Sequence, residues 1–279
     1  MRTGYFLLQS NRYAMNQTTF EKESLVIARL SNHLLKHIVP IFANGRGGRP
    51  QLVGSSVLVF SGPSSYLISA AHVFDELKAG HELFFYIEPK TIRKLSGNLG
   101  LTKLPPGKDR KSDRLDIGVL KLQGPALPPY LEVQKYPLPI SALMANALPR
   151  DGKQFLLVGF PESRSRANPT TRDLPSAPCI FRNVSGPASK YSQLDVSPQS
   201  HIVLGFDVKH TVTPQKEIRA FPNPTGMSGS PIWLLYDENG NNDPNQNPVV
   251  GIAIEHHKSE RAIVATDIDI ALRLINEAV

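Results

Sequence analysis

The sequence predicts an all-β protein made of two antiparallel β-barrels, with one helix before the first barrel and another after the second. Two sets of short segments rich in Val, Ile, Leu and Phe are separated by Gly, Pro and Asn, a pattern typical of strands and turns. A stretch crowded with proline lies between the two sets. The length of 279 residues, 41% of them hydrophobic, is enough for two barrels of about 100 residues each.

The first predicted element is a helix over about residues 19–37, within an N-terminal extension that covers residues 1–37. Thr18 and Glu21 have the spacing of a capping box, and apolar residues follow mostly at three- and four-residue intervals. We expect this helix to pack on a barrel as a structural brace, and a regulatory latch is the competing hypothesis. The apolar residues expected at the contact are Ile27, Leu30 and Leu34.

The two sets of predicted strands define the barrels and the connection between them. The first barrel covers residues 38–124, and its strands are predicted at 38–43, 52–61, 65–71, 82–88 and 115–122. Residues 125–150 form an extended connection, because proline lacks the amide that a sheet requires. The second barrel covers residues 151–279, with strands from about 154 and at 179–184, 201–208, 229–236, 248–256 and 262–266. Asp267 is expected to cap a closing helix.

Residues 223–231, Asn-Pro-Thr-Gly-Met-Ser-Gly-Ser-Pro, form a candidate nucleophile turn around Ser228. Glycines at Gly226 and Gly229 allow a tight turn in which consecutive amides can converge on an oxyanion. A serine nucleophile also needs a base and a group that orients that base. His72, at the end of an apolar strand, and Asp116, at the head of another, are the candidates. The motif by itself is also compatible with an ordinary glycine-rich turn.

These motifs resemble those of the chymotrypsin-like (trypsin-fold) serine peptidases, especially the bacterial HtrA-like and glutamyl-endopeptidase-like branches. The resemblance implies two six-stranded barrels, with His72 as general base, Asp116 as its orienting group and Ser228 as nucleophile. It also implies an oxyanion hole from the amides of Gly226 and Ser228, and it implies no cofactor. The matching segments, in family order, are 69–72, 116–120, 158–161, 226–231 and 249–252.

One departure from the family concerns regulation. Digestive members carry an aspartate just before the nucleophile, which receives a newly cut amino terminus, but this chain has Met227 there. Methionine cannot form that ion pair, so we expect an enzyme made without a cleavage-activated zymogen. Control by a protein partner, by the first helix or by substrate supply would have to replace the zymogen switch.

By the same resemblance, the strand after the nucleophile turn binds an extended polypeptide substrate through main-chain hydrogen bonds. No acidic residue is predicted at the pocket floor, so the expected preference is a small or medium apolar side chain before the cut. An acidic side chain, bound by protonated His256 or His257, is the alternative. The expected substrate-binding residues are Pro222, Asn223, Ala253, Ile254, Glu255, His256, Ala262 and Val264.

The composition predicts the cellular compartment of the protein and excludes some classes of partner. No apolar run is long enough for a signal peptide or a membrane span, and a single cysteine, Cys179, allows no intrachain disulfide, so we expect a cytoplasmic protein with no membrane partner. The net charge of +7 raises the question of nucleic acid, but the basic stretches at 44–50 and 108–114 lack interleaved aromatic residues. We therefore expect solvated loops and no nucleic-acid partner, with attraction of an acidic substrate or partner as the alternative.

No metal site is expected. The polar loop at 237–248 alternates Asp and Asn, but its glycine and its missing terminal glutamate do not fit a calcium loop. His33 and His37 are four residues apart on the predicted first helix but lack a third ligand nearby.

Two alternatives to a peptidase stay open, namely a catalytically silent binding module of the same fold and an esterase that uses the same triad.

Overall fold

The computed structural model describes residues 5–9, 30, 32–45, 48–88, 91–104, 106–123, 136–146, 149–165, 177–209, 211–212, 218–235 and 247–277. Most of these residues belong to two curled sheets whose neighbouring strands are antiparallel with two exceptions. The predicted all-β class with two barrels is confirmed.

The first sheet contains eight strands from the first half of the chain. They are β2 (Ile38–Asn44), β3 (Pro50–Ser61), β4 (Ser64–Ala70), β5 (Leu83–Glu88), β6 (Thr91–Lys94), β7 (Gly97–Leu101), β8 (Ile117–Leu122) and β9 (Leu138–Pro139). Their order is β6-β5-β2-β3-β4-β8-β7, and β9 pairs with β3 in parallel, so the proline-rich connection adds a short strand to this sheet. The sequence did not predict β6, β7 or β9, which are short or rich in glycine or proline.

The second sheet contains nine strands. After β1 (Tyr5–Gln9), they are β10 (Gln154–Gly159), β11 (Cys179–Val184), β12 (His201–Gly205), β13 (Thr211–Val212), β14 (Ile218–Arg219), β15 (Pro231–Leu235), β16 (Val249–His257) and β17 (Ala262–Asp267). Their order is β12-β17-β16-β15-β10-β11-β1-β13-β14. The strand β1 was not predicted, and it pairs in parallel with β11. The N-terminal extension therefore contributes a strand to the second sheet.

Besides the helical residues before β2, the described part of the chain contains the α-helices α1 (Ala71–Lys78), α2 (Ala188–Gln193) and α3 (Asp269–Glu277). The predicted cap of the closing helix is confirmed, because the Asp267 carboxylate accepts a hydrogen bond from the amide of Asp269 at 3.0 Å. Among the described residues, no helix combines the length and apolarity that crossing a bilayer demands.

Only the end of the predicted first helix falls within the described residues. Residues 32–34 are helical and continue into a 3-10 turn at Leu35–His37, whereas Thr18, Glu21 and Ile27 lie outside the described residues. Leu30 and Leu34 are fully buried in the main core, as the brace hypothesis expects. Burial of a leucine stabilises a fold by roughly 1.5–3 kcal/mol.

The buried side chains of the described residues form two core clusters. The larger cluster draws residues from both sheets and includes Phe42, Phe74, Trp233 and Ile252. The smaller cluster lies inside the second sheet around three aromatic rings that contact one another edge to face, which are Phe181, Phe206 and Phe221. The shared cluster fixes the two sheets against each other, and the candidate site lies at that junction.

Candidate active site

His72 and Asp116 form a tightly connected pair at the start of α1. The His72 Nδ1–H donates to one carboxylate oxygen of Asp116 at 2.6 Å, and the His72 amide donates to the other at 2.9 Å. The amide of Ala71 donates to the Asp116 carbonyl at 2.8 Å. These first-turn amides have no partner within the helix, so Asp116, which directly precedes β8, acts as the cap of α1. The arrangement fixes the proton on Nδ1 and leaves Nε2 able to accept one.

The turn that carries Asp116 is held by side chains from the second sheet. Asp116 itself has a φ of +44°, in the left-handed region that non-glycine residues seldom adopt. The Thr266 hydroxyl donates to the carbonyl of Leu115 at 2.6 Å, and His201 Nε2–H donates to the carbonyl of Arg114 at 2.8 Å. The second sheet therefore supports an uncommon backbone conformation in the first, directly behind the His72–Asp116 pair.

A buried ion pair supports the two residues, Thr266 and His201, that hold the Asp116 turn. Arg150, at the end of the interdomain connection, pairs with Asp267 while both side chains are almost completely buried. The Arg150 guanidinium also donates to the carbonyls of Pro198 and His201. Because Asp267 follows Thr266, the pair anchors both donors that hold the Asp116 turn.

Burial lowers the pKa of His201 and, together with the positive charges of Arg114 and Arg150, outweighs the hydrogen bonds to the carbonyls of Arg114 and Ser197, which raise it. The folded chain therefore keeps His201 neutral at a pH where the unfolded chain, with the ordinary value of 6.5, already binds a proton. We expect the stability from this group to be complete above about pH 6.5 and to decrease as the pH falls below it, by up to about 1.4 kcal/mol per pH unit.

Urea unfolding between pH 7.5 and pH 5.5 tests this prediction. The variant His201→Gln cannot titrate, and its amide can still donate to Arg114. The variant should lose less stability than the wild type over that range, and an equal loss in both proteins would contradict the prediction.

The nucleophile turn has the tight geometry that its glycines predict. Gly226 and Gly229 have φ values of +89° and +86°, where a side chain is strained. The amides of Met227, Gly229 and Ser230 donate to the carbonyls of Pro224, Ala253 and Met227 at 2.9, 2.7 and 3.0 Å. These bonds fix the turn to itself and to β16.

Two other amides of the turn are not used in hydrogen bonds of this kind. Within the described part of the chain, the amides of Gly226 and Ser228 make no hydrogen bond. The Thr225 carbonyl accepts from the Glu162 amide at 2.8 Å, and in a trans peptide the following N–H points the opposite way. The Gly226 N–H therefore points away from Glu162. The Met227 carbonyl is fixed by Ser230, which orients the Ser228 N–H in the same manner.

The first-sheet strand β3 lies against both the His72 helix and the Ser228 turn. The Ser55 amide donates to the Ser228 carbonyl at 2.8 Å. At Gly54, a β-carbon would lie 2.5 Å from the side chain of Val73, the neighbour of His72, and 3.1 Å from the Ser228 carbonyl. Only glycine permits this approach. The structure thus brings the segments that carry His72 and Ser228 together at one point of β3.

Gly229 allows the same kind of approach inside the turn. A β-carbon at Gly229 would overlap the Ser55 carbonyl and the Ser69 hydroxyl, in addition to the cost of its positive φ. We expect Gly229→Ala to lower the free energy of unfolding by about 3–5 kcal/mol. Gly62→Ala is the matched control, because Gly62 also has a positive φ, of +55°, but has open space around its α-carbon. The control should lose about 1–2 kcal/mol in urea unfolding, and equal losses would contradict the packing argument.

The expected substrate strand has a free edge. β16 pairs with β15 only as far as Ile252, and Ala253 bonds to Gly229 and Ser230. Beyond Ala253, the described residues provide β16 with a strand partner on one side alone, which is β17. Ile254, Glu255 and His256 therefore present a main-chain edge next to the nucleophile turn.

The residues expected to line the specificity pocket separate into two groups. Ala253 packs in the smaller core cluster, beside Phe221, which precedes Pro222 and Asn223. Ala262 and Val264 are buried in the larger cluster instead, so the structure does not bring them together with Ala253. Successive side chains of a strand point to opposite faces, and the alternate residues of β17 are the ones beside Ala253. These are Ile263 and Ala265.

His256 lies on the same side as the smaller cluster. Its ring contacts Phe206 edge to face at a centroid distance of 5.3 Å. Burial lowers the pKa of His256, and the charges of His257 and Lys258 lower it further. The ring is therefore neutral at pH 7.

Other titratable groups do not form a second site among the described residues. Cys179 is buried, and burial raises the pKa of its thiol to about 12, so it is not a thiolate nucleophile. The His33 and His37 rings lie 5.2 Å apart, yet no cluster of three potential metal ligands occurs in the described ranges. The loop at 237–248, weighed as a calcium site, is described only from residue 247 onward.

Comparison with known proteins supports the fold. No protein-family model and no curated protein matches the chain. Among solved structures, neuropsin, a serine protease expressed in the limbic system of mouse brain, superposes with a TM-score of 0.56 at 15% sequence identity. The match covers 88% of this chain and 95% of the neuropsin chain. At that identity the likeness concerns the fold alone. The chain has the double-barrel fold of the trypsin-like serine proteases.

Proposed function

We propose that the protein is a serine endopeptidase that hydrolyses peptide bonds through an acyl-enzyme, with His72, Asp116 and Ser228 as its catalytic triad. The observation that carries the proposal is the 2.6 Å hydrogen bond from His72 Nδ1–H to Asp116. It leaves Nε2 as the basic nitrogen, in a fold where the nucleophile turn contacts the same strand as the histidine helix. This is the tautomer that a general base requires.

In the proposed mechanism, His72 Nε2 takes the proton of the Ser228 hydroxyl as its oxygen attacks the peptide carbonyl carbon. The amides of Gly226 and Ser228 donate to the oxyanion, and Asp116 stabilises the imidazolium that forms. His72 then gives its proton to the leaving amine, which departs as the acyl-enzyme forms. Water repeats the sequence on the acyl-enzyme, and the ester bond to Ser228 breaks.

Burial of Met227 supports an enzyme that needs no zymogen cleavage. The side chain is 3% exposed and packs in the smaller cluster with Phe206 and Phe221. A buried methionine fixes the backbone of the turn through apolar contact. This contact stands in place of the aspartate ion pair of digestive relatives, and it forms on folding. We therefore propose that the turn is ordered as soon as the chain folds.

The free edge of β16 supports a polypeptide substrate, since an extended chain can add to that edge by main-chain hydrogen bonds. For the side chain before the cut, we propose a small or medium apolar group. Ala253, Ile263 and Phe206 provide an apolar wall, and a neutral His256 offers little attraction to a carboxylate. Profiling on a peptide library measures this preference. Strong cleavage after arginine or glutamate would contradict it.

The activity itself is tested by comparing an unfolded polypeptide with a nitrophenyl ester as substrates. The wild type should cleave both, and His72→Ala should cleave neither. His81→Ala is the matched control, because His81 is an exposed histidine whose hydrogen bonds within the described residues go to the side chain and the carbonyl of Glu76. Cleavage of the ester alone would indicate that the protein is an esterase and not a peptidase. Cleavage of neither substrate by the folded wild type would favour a binding module.

A further inference from the structure

The buried serine Ser55 connects the first sheet to the nucleophile turn through both its backbone and its side chain. Its amide donates to the Ser228 carbonyl at 2.8 Å. Its hydroxyl donates to the Gly226 carbonyl at 3.1 Å. Both contacts reach residues more than 170 positions away in the sequence, and Ser55 is completely buried.

The direction of the Ser55 hydroxyl proton is determined by its other partner. The amide of Phe160 donates to the Ser55 oxygen at 3.0 Å. With that amide on its lone pair, the hydroxyl is free to give its single proton to Gly226. The position of Ser55 is itself fixed, because its carbonyl accepts from the Ser69 hydroxyl at 2.7 Å. The Ser55 hydroxyl therefore connects Phe160, the residue after β10, rigidly to the nucleophile turn.

Gly226 is the residue of the turn whose orientation needs such a link. Its φ of +89° is one that glycine leaves with little resistance. The peptide before it is held by the Glu162 amide at the Thr225 carbonyl. The peptide after it is held at both ends, because the Gly226 carbonyl accepts from Ser55 and the Met227 amide donates to Pro224. We expect loss of the Ser55 bond to loosen the Gly226 carbonyl and, through the flexible backbone of Gly226, the N–H on its other side.

We propose that Ser55 is a positioning residue for the oxyanion hole. Its hydroxyl keeps the hole assembled by fixing the Gly226 carbonyl. This inference rests on the proposed peptidase function. Ser55 does not touch the substrate or His72 in this role. Its removal should therefore reduce kcat, while KM stays nearly unchanged.

The test compares Ser55→Ala with Ser56→Ala. Ser56 is the adjacent, equally buried serine, and its hydroxyl donates to the Val39 carbonyl at 3.0 Å within the first sheet, away from the turn. Ser55→Ala removes two hydrogen bonds and Ser56→Ala removes one, so both melting temperatures should fall, and that of Ser55→Ala should fall further. Removal of a donor from an oxyanion hole costs about 10²–10³ in kcat, and a displaced donor should cost less. We expect kcat of Ser55→Ala to fall by about 10–100-fold and that of Ser56→Ala to change by less than about twofold.

A second measurement does not depend on activity. Hydrogen exchange, followed by mass spectrometry, should show faster exchange in residues 225–230 of Ser55→Ala and unchanged exchange there in Ser56→Ala. Equal kcat in Ser55→Ala and the wild type, or equal losses in both variants, would overturn the positioning role. If the wild type shows no turnover, the proposed function fails. The exchange result then decides alone whether Ser55 holds the turn, and unchanged exchange in Ser55→Ala would overturn that too.

Discussion

Replacing Ser228 by alanine should reduce peptide hydrolysis by about 10⁶-fold in kcat, the loss expected when the nucleophile of a catalytic triad is removed. The fold should be preserved. The backbone hydrogen bond between Ser228 and Ser55 is made by the Ser228 carbonyl and does not involve the Ser228 side chain. We expect the melting temperature of Ser228→Ala to stay within about 2 °C of the wild-type value.

The matched control for this variant is Ser259→Ala. Ser259 is exposed in the turn after β16, and its hydroxyl donates to Glu260. Its kcat should be unchanged. A Ser228→Ala protein that keeps more than about a hundredth of the wild-type kcat while folded would exclude Ser228 as the nucleophile.

Replacing Asp116 by asparagine should lower kcat by about 10⁴-fold, because the change alters the proton on His72 rather than removing a reacting atom. Both oxygens of the Asp116 carboxylate accept hydrogen bonds, one from the His72 amide and one from Nδ1–H. Asparagine has one oxygen, which can serve the amide, and its NH₂ group then faces Nδ1 as a donor. His72 must then carry its proton on Nε2, where it cannot accept one from Ser228.

Asp75→Asn provides the control for this change. Asp75 lies on the same helix as His72, but its carboxylate pairs with Arg110 at 2.9 Å. Its loss should affect stability slightly and kcat by less than about twofold. Steady-state kinetics on both variants, together with the wild type, measures the difference. A kcat for Asp116→Asn within tenfold of the wild type would contradict the proposed role of the carboxylate.

The fold and the main candidate residues could be predicted because each depends on a local pattern. Strands rich in β-branched residues between Gly and Pro identify both barrels, and the chemistry of a serine nucleophile restricts the residue types around Ser228, His72 and Asp116. The strands β6 and β7 could not be predicted in this way. They are four and five residues long, and β7 contains two glycines, which weaken a strand pattern.

The pocket illustrates a second limit, which is register. Ala262 and Val264 were expected beside Ala253, but β16 pairs with β17 in a register that places Ala253 opposite Ala265, so Ala262 and Val264 lie on the other face of the sheet. A shift of one residue moves a side chain to the opposite face of a sheet. The sequence carries no signal for that register, and the β17 residues on the same face as Ala253 are Ile263 and Ala265.

Contacts between distant parts of the chain are the third limit. Thr266 supports Leu115 across 151 positions, and Ser55 reaches Gly226 across 171. No sequence feature of a serine within an apolar strand, or of a threonine at the end of a strand, indicates that its hydrogen-bond partner lies on the other barrel. Only the closeness of Ser55 to the predicted turn, seen in three dimensions, identifies it.

The most direct test of the catalytic triad is covalent labelling with a fluorophosphonate, followed by peptide mapping in a mass spectrometer. The Ser228 oxygen should attack phosphorus, fluoride should leave, and the serine proton should pass to His72. We predict a single adduct on Ser228 in the folded wild-type protein, with no adduct in Ser228→Ala or His72→Ala. An adduct on a different residue, or none on the folded wild type, would contradict the triad.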